Sequence, residues 1–497
     1  MKSKFNILIK NQVFLTSAII LILSSFFIFW FTGFFYDLIE TTSLWVREYF
    51  GTFYLWLGLG CVIFLLILAF SKFGKIRLGN SPPEFDRLSW IAMLYSAGMG
   101  AGILLRAVQE PVFMLLNPPI ETEQTAEIIS LEYTFYQWGF TAWAFYGIFA
   151  VIIGYSIFVE KADVRLSSGF NEFRKNKFLP SAIDILTILT TVIGLVAAIG
   201  LGTTQIEGGL SHLESREPGS LLPNLFLVFL ICSLAFISAW IGVHKGIKRI
   251  SNWNIYIALI LMIFVFITGD ISGILGNFFN SFYHYLIDFI PLSLAIGKFD
   301  PGIKFLTDWT YYYWAFWLAW APFTGIFIAR ISRGRSLREM ILGVLLIPSI
   351  GSFFWFSVFG TSAFDIIEGL DSYNNEFGNV FTSMFVFFET YPVSIFTSFT
   401  VILLLISFLV TSVDSAIFVL SMFTDNGRQE PKKKYRLAWA VLILLFCEAI
   451  IVLGQVKPDS NVLTAMQKFL IITSLPFAFL SVIIIILFSL KLFRKTG

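Results

Sequence analysis

Three segments of this chain hold residue types that could do chemistry in an apolar setting. The first is aromatic. Trp138, Trp143 and Tyr146 lie close together, and a later run, Trp309–Phe323, reads WTYYYWAFWLAWAPF with Trp309, Trp314, Trp317 and Trp320. A ring face attracts a quaternary ammonium by about 0.5–1 kcal/mol, or about 2 when both are desolvated, and needs no formal negative charge to do so. Membrane tryptophans more often mark the water interface. That explanation fits Trp309, next to Asp308 at the end of its apolar run. It does not fit Trp317 and Trp320, which lie mid-way between Asp308 and Arg330.

The second segment is SAGMGAGILLRAVQEP, Ser96–Pro111, with Gly98, Gly100 and Gly102 at alternate positions. A helix loses roughly 1 kcal/mol for each glycine that replaces alanine. The cluster reads either as a broken helix, whose freed carbonyls and amides bind ions and substrate near the membrane midplane, or as a small-residue surface for close helix packing. The third segment, SFLVTSVDSAIF, carries Thr411, Ser412, Asp414 and Ser415 within an apolar run. Such groups must face the protein interior. The hydroxyls either bond back to their own helix or offer hard oxygens to a small cation.

These segments need long apolar elements to hold them. Of 497 residues, 57% are hydrophobic and 13% charged, against about 25% charged in a soluble domain. The solvent of this chain is therefore largely lipid. Its net charge of +2 has no basic patch interleaved with exposed aromatics, so nucleic acid is not an expected partner. Cys61, Cys232 and Cys447 sit singly in apolar runs, and His212, His244 and His284 are not paired at ligand spacing, so no disulfide framework, zinc site or cofactor is expected. The first apolar run, about 13–35, is too long for the roughly 7–15-residue core of a cleavable signal peptide.

Twelve runs are long enough to span, with centres near Leu23, Cys61, Gly100, Tyr146, Val192, Leu230, Leu261, Trp317, Leu346, Leu405, Ile443 and Leu475. Basic residues cluster before span 1, after each even-numbered span, and at the C-terminus, as in Arg330, Arg333, Arg335 and Arg338. Acidic residues such as Glu121, Glu123 and Glu127, or Asp365 and Glu368, fill alternate loops. The positive-inside rule then puts both termini in the cytoplasm. The segment 271–294 mixes Gly, Asn, Ser, Tyr and His with apolar residues and reads as an outer interfacial amphipathic helix. A thirteenth span there would invert every later loop.

The stretches GMGAG, WAFWLAWAPF followed by GIFIARISRGRSLRE, and TSVDS resemble, in order, the signatures of the betaine/choline/carnitine transporter family. The similarity runs from about Asp86 to the C-terminus. It implies an all-α integral membrane protein of the bacterial cytoplasmic membrane, with two inverted five-helix repeats. The expected divisions are 1–88 (tail and peripheral spans 1 and 2), 89–269 (spans 3–7), 270–307 (the interfacial helix) and 308–497 (spans 8–12). The resemblance implies a substrate box of Trp138, Trp143, Tyr146 and Trp317, with Trp320 on the access path and Gly98, Gly100 and Gly102 against the substrate. It implies a sodium site made by the carbonyls of Ser96, Met99 and Phe408 and the hydroxyls of Thr411 and Ser412. It also implies a homotrimer, with the interfacial helix at the subunit contact.

Three departures from the family pattern stand out. The family's second sodium site would use Thr191, Phe323 and a threonine where this chain has Leu195, which supplies no oxygen. That site is not expected to bind as in two-sodium members. Arg106 stands where the family usually has an aromatic residue. It is spaced to pair with Glu110 at i,i+4. Alternatively it lies on the substrate path, seven residues and roughly 10 Å outward from Met99 on the same helix face, where it would draw a substrate carboxylate. The termini are short, so strong osmotic gating is not expected.

Choline carriers of the family tend to have an aspartate at the Gly102 position. A neutral residue there favours a zwitterion such as glycine betaine. The function these readings imply is sodium symport of an onium zwitterion by alternating access. Sodium-independent exchange, or import of choline, carnitine or dimethylsulfoniopropionate, are the alternatives within the family. A membrane enzyme is disfavoured because no HExxH or His/Asp/Ser arrangement occurs, and a sensor because no soluble segment is long enough to signal.

Overall fold

In a bilayer every backbone amide must find its partner within the chain, so apolar runs of this length become helices. A computed structural model describes the chain except residues 1–10, 99, 171–177, 242–243, 426, 429, 458–460 and 495–497. In chain order the principal helices are α1 (Gln12–Trp30), α2 (Thr32–Phe70), α3 (Arg87–Gly98), α4 (Ala101–Arg106), α5 (Gln109–Leu116), α6 (Ala126–Trp138), α7 (Phe140–Phe158), α8 (Leu179–Leu213), α9 (Leu221–Ile241), α10 (His244–Thr268), α11 (Ile271–Ile287), α12 (Tyr311–Ile331), α13 (Leu337–Glu368), α14 (Ser394–Thr424), α15 (Lys433–Leu453) and α16 (Val462–Arg494). Among the described residues eleven helices are long and apolar enough to cross a membrane, and a further pair, Arg87–Ser96 and Ala101–Leu116, bent by 60°, makes a twelfth if counted as one span. The protein is a multi-pass, all-α membrane protein.

Burial separates core from periphery. In the most apolar stretch of 126–158, 89% of residues are buried, and in that of α8 78%, against 33% in α1 and 28% in the α10 stretch. The fourth, fifth and eighth spans are therefore the interior. α2 has 39 residues, which at 1.5 Å each is about 58 Å, far more than a hydrocarbon core needs. Its early part is tied to the loop before α16 and to α16 itself: Lys457 Nζ lies 2.7 Å from Asp37 Oδ1, and Lys468 Nζ 2.9 Å from Glu40 Oε1.

The segment 271–294, expected as one interfacial helix, folds as α11, of 17 residues, and a separate short helix Phe289–Leu294; α11 is capped by Asp270, whose Oδ1 accepts from the Ser272 amide. One face buries Ile274, Phe278, Ser281 and Tyr285, while Phe279, Tyr283 and Ile287 are exposed. The buried face packs on α6 and α13.

The ARISRGRS stretch forms a tight clamp. Gly334, at φ +82°, sits so close to Pro82 that an added Cβ would lie 2.6 Å from the Pro82 carbonyl carbon. Arg335 Nη2 donates to the Phe85 carbonyl at 2.8 Å, its guanidinium lies 4.3 Å from the Trp90 ring, and Arg338 Nε donates to the Ala69 carbonyl at 2.7 Å. Ser336 caps α13 by accepting from the Glu339 amide. The loop after the eighth span thus holds the end of the second and the start of the third.

α7 and α12 meet where Gly325 faces Phe149. A Cβ on Gly325 would lie 2.6 Å from Phe149 Cβ and 3.0 Å from the Ala150 amide nitrogen. Neither atom can rotate away. Gly325→Ala is expected to push the two helices apart and cost about 1–3 kcal/mol of overpacking. The purified variant should melt below wild type, and an unchanged melting temperature would contradict the close approach.

Candidate functional site

α6, α7 and α12 bring the predicted rings together. The Trp138 and Trp317 ring centroids are 5.1 Å apart at 71°, Trp317 and Tyr146 6.0 Å apart at 88°, and Tyr146 and Trp143 5.3 Å apart at 87°. Each contact is edge-to-face, so each pair leaves a ring face turned away from its neighbour. All four side chains are buried. Phe356 packs on Trp138 at 5.1 Å, and Phe316 on Trp317 at 5.2 Å. Trp320 lies a turn further along α12, 5.4 Å from the Phe323 ring, and its Nε1 has no hydrogen-bond partner among the described residues.

A break in the fourth span fixes Trp317. α6 ends at Trp138 and α7 begins at Phe140, with Gly139 at φ −98° and ψ −138° between them. No larger residue fits there, because a Cβ would lie 2.5 Å from the Phe135 oxygen and 2.7 Å from the Tyr285 hydroxyl. Trp317 Nε1 donates to the Gln137 carbonyl at 2.9 Å, and Tyr285 Oη accepts the Phe140 amide at 3.0 Å. Groups that a continuous helix pairs internally are here used across helices.

The glycine segment approaches the same rings. Gly100 is extended, at φ −148° and ψ −176°, and caps α4. Gly98 ends α3. Position 102 faces the box, since a Cβ there would lie 3.5 Å from Trp138 Cη2. The helix is therefore broken at the cluster, and one glycine meets the aromatic wall.

Arg106 makes the i,i+4 pair that its spacing allows. Its Nε is 3.9 Å from Glu110 Oε2, its Nη1 donates to Gln109 Oε1 at 2.7 Å, and its guanidinium lies 4.9 Å from the Trp309 ring. This corrects the interfacial reading of Trp309. That residue is buried, in a π-helical turn Leu306–Thr310, between Phe113 at 4.9 Å and Arg106. Counting from Asp308 places it at a span end, but the turn swings its ring inward.

Two residues here have contacts that the sequence reading does not give them. Glu110 is fully buried and accepts from Trp138 Nε1, 3.3 Å from each carboxylate oxygen, and from the Tyr313 hydroxyl. Tyr313 stacks on Trp317 with centroids 5.9 Å apart. The sequence offered only Glu110's spacing from Arg106. Its link to Trp138 joins residues 28 apart, which no local pattern reveals.

The expected sodium ligands lie on the broken span and on α14. Thr411 Oγ1 donates to the Ser407 carbonyl at 2.9 Å and the Phe408 carbonyl at 3.0 Å, and Ser96 Oγ to the Met93 carbonyl at 2.9 Å. Ser412 is half-buried on the same helix. α14 packs against α4. Met99 lies outside the described residues. Of the second set, Thr191 Oγ1 donates to the Thr187 carbonyl at 2.8 Å and Leu195 is buried.

Among the described residues, eleven helices and one bent pair form a multi-pass bundle, and its likeness to known proteins gives its class, a membrane transporter. Residues 12–496 match the family described as betaine/carnitine/choline family transporter, and the chain belongs to that family; it is a transporter and not an enzyme. It is 36% identical over 465 residues to the glycine betaine transporter OpuD of Bacillus subtilis, covering 92% of this chain and 88% of that one. It is 33% identical over 438 residues to an ectoine/hydroxyectoine transporter of Virgibacillus pantothenticus, with 86% of each chain covered. With the high-affinity choline transport protein of Escherichia coli K12 it shares 33% identity over 483 residues, 95% of this chain and 70% of that one.

Proposed function

We propose that this protein imports a quaternary-ammonium zwitterion of the glycine betaine kind, coupled to sodium entry, by alternating access. The observation that carries this reading is the box. Four buried rings meet in a chain of edge-to-face contacts on two tightly packed spans, and the residue facing Trp138 from the broken helix is the neutral Gly102. A cage of ring faces suits a methylated ammonium, and the absence of a carboxylate at position 102 suits a substrate that carries its own. Amides freed at the glycine break are fitted to receive that carboxylate. Similarity to glycine betaine, ectoine and choline transporters supports the substrate class. Trp138, Trp143, Tyr146, Trp317, Trp320 and the three glycines are its substrate residues. Ser96, Met99, Phe408, Thr411 and Ser412 hold sodium.

In this reading the third to seventh spans and the eighth to twelfth form two inverted repeats, with α1 and α2 outside them. Both termini face the cytoplasm of a bacterial inner membrane. Two basic segments meet at one end of the bundle: Arg77 Nη1 donates to the Gly334 carbonyl at 3.2 Å, which supports that orientation. The exposed apolar face of α11 suits the contact of a homotrimer. The test is uptake of labelled glycine betaine, choline, carnitine, ectoine and dimethylsulfoniopropionate in a host lacking its own carriers, with and without sodium. Betaine uptake that requires sodium is expected. Uptake of none of the five, or of choline alone, would refute the assignment.

A further inference from the structure

Glu110 sits where the box is held together. One carboxylate accepts from Trp138 Nε1 and from the Tyr313 hydroxyl. Trp138 is the ring that Gly102 faces and that meets Trp317 edge-on. Tyr313 stacks on Trp317 and also meets the Trp138 ring, 5.6 Å away. One wall of the box, Trp138, and the ring stacked on another, Tyr313, thus hang on one acidic group.

A lone carboxylate buried there stays ionised only beside a cation, so it would serve as counter-ion to a cationic occupant of the cage and offer nothing to a substrate that brings its own carboxylate. Arg106 opposes it, one turn away at 3.9 Å, and is itself 5% exposed. Gln109 and the Trp309 ring hold the guanidinium in place.

We propose that Glu110 is a positioning residue for Trp138 and Tyr313, and that Arg106 masks its charge, so that the pair sets the preference between zwitterionic and cationic onium substrates. With the pair intact, the wall beside the box is neutral overall and a zwitterion is accepted. Without Arg106, the carboxylate favours a net cation and disfavours the zwitterion. Arg106 then acts on the substrate through Glu110 rather than by touching it. This inference rests on the box being the onium site.

The test compares wild type, Arg106→Lys, Arg106→Gln, Glu110→Gln and the double variant Arg106→Gln/Glu110→Gln in proteoliposomes, at matched protein. Glycine betaine and choline each compete against one labelled substrate. Arg106→Gln is expected to shift the betaine-to-choline preference toward choline by about fivefold or more. Arg106→Lys should stay near wild type, and the double variant should return to within about twofold of it, because it strands no charge. An unchanged ratio in Arg106→Gln, or a double variant displaced as far as the single, overturns the proposal. If Arg106→Gln does not reach the membrane, the double variant should be recovered folded, and its equal loss also overturns the proposal. A wild type inhibited by neither compound refutes the onium reading itself. The pair is then judged by thermal unfolding of the same proteins, where additive single effects in the double variant would end the proposed coupling.

Discussion

Trp317→Ala is expected to abolish high-affinity uptake, while Trp253→Ala leaves it within about twofold, as for a typical exposed side chain. Trp317 is where the site's contacts converge. Its ring meets Trp138, Tyr146, Tyr313 and Phe316, and its Nε1 holds the Gln137 carbonyl at 2.9 Å. Truncation removes a cage face worth about 2 kcal/mol to a desolvated ammonium. It also leaves the Gln137 carbonyl without this partner, at a cost of about 1–3 kcal/mol. The first loss alone is about thirtyfold in affinity. Trp317→Phe keeps a ring face and loses only the donor, so it should fall between the two. Trp253 is 65% exposed and reports on a lipid-facing tryptophan. Saturation uptake at matched membrane abundance gives the answer. A KM for Trp317→Ala within about twofold of wild type would be incompatible with a cage whose every face contributes.

Much of this site was legible because the membrane makes certain residues costly. Tryptophans away from the interface, a glycine cluster and mid-span hydroxyls each stand out from a uniformly apolar run, and the tryptophans lie on the fourth and eighth spans of the bundle interior. What stayed hidden depends on backbone that departs from a straight helix. Trp309 was misplaced because counting along the chain assumes regular rise, and the π-helical turn at Leu306–Thr310 breaks that assumption. Gly139 reads as an ordinary small residue in an apolar run. Only its crowding by Phe353 and Tyr285 shows that it ends one helix and frees the carbonyl that fixes Trp317. Likewise, α2 begins well before its apolar core, in a stretch whose hydropathy Asp37 and Glu40 dilute, and Lys457 and Lys468 supply their partners from the far end of the sequence.

Replacing sodium by potassium is expected to reduce uptake to background, and the sodium dependence should have a Hill coefficient near one. The argument starts from which oxygens can face a cation. Thr411 donates its hydroxyl hydrogen back to the carbonyls of Ser407 and Phe408. Donating leaves the lone pairs of a hydroxyl oxygen free to accept, so back-bonding pre-sets that oxygen instead of consuming it. In the proposed sodium site it would join Ser412 and the carbonyls of Ser96 and Phe408 as hard oxygens suited to a small cation. Thr191 is back-bonded in the same way, to Thr187. One turn further on, however, stands the buried Leu195, which has no oxygen to add. A cation there would lose hydration without replacement, a cost that burial makes severe. Thr411→Ala should therefore raise the sodium concentration for half-maximal uptake by about tenfold, the equivalent of one ligand at about 1.4 kcal/mol. Thr191→Ala should leave that concentration nearly unchanged. The measurement is initial uptake rate against sodium at fixed ionic strength. A Hill coefficient near two would restore the second site despite Leu195, and uptake that persists without sodium would remove the coupling ion altogether.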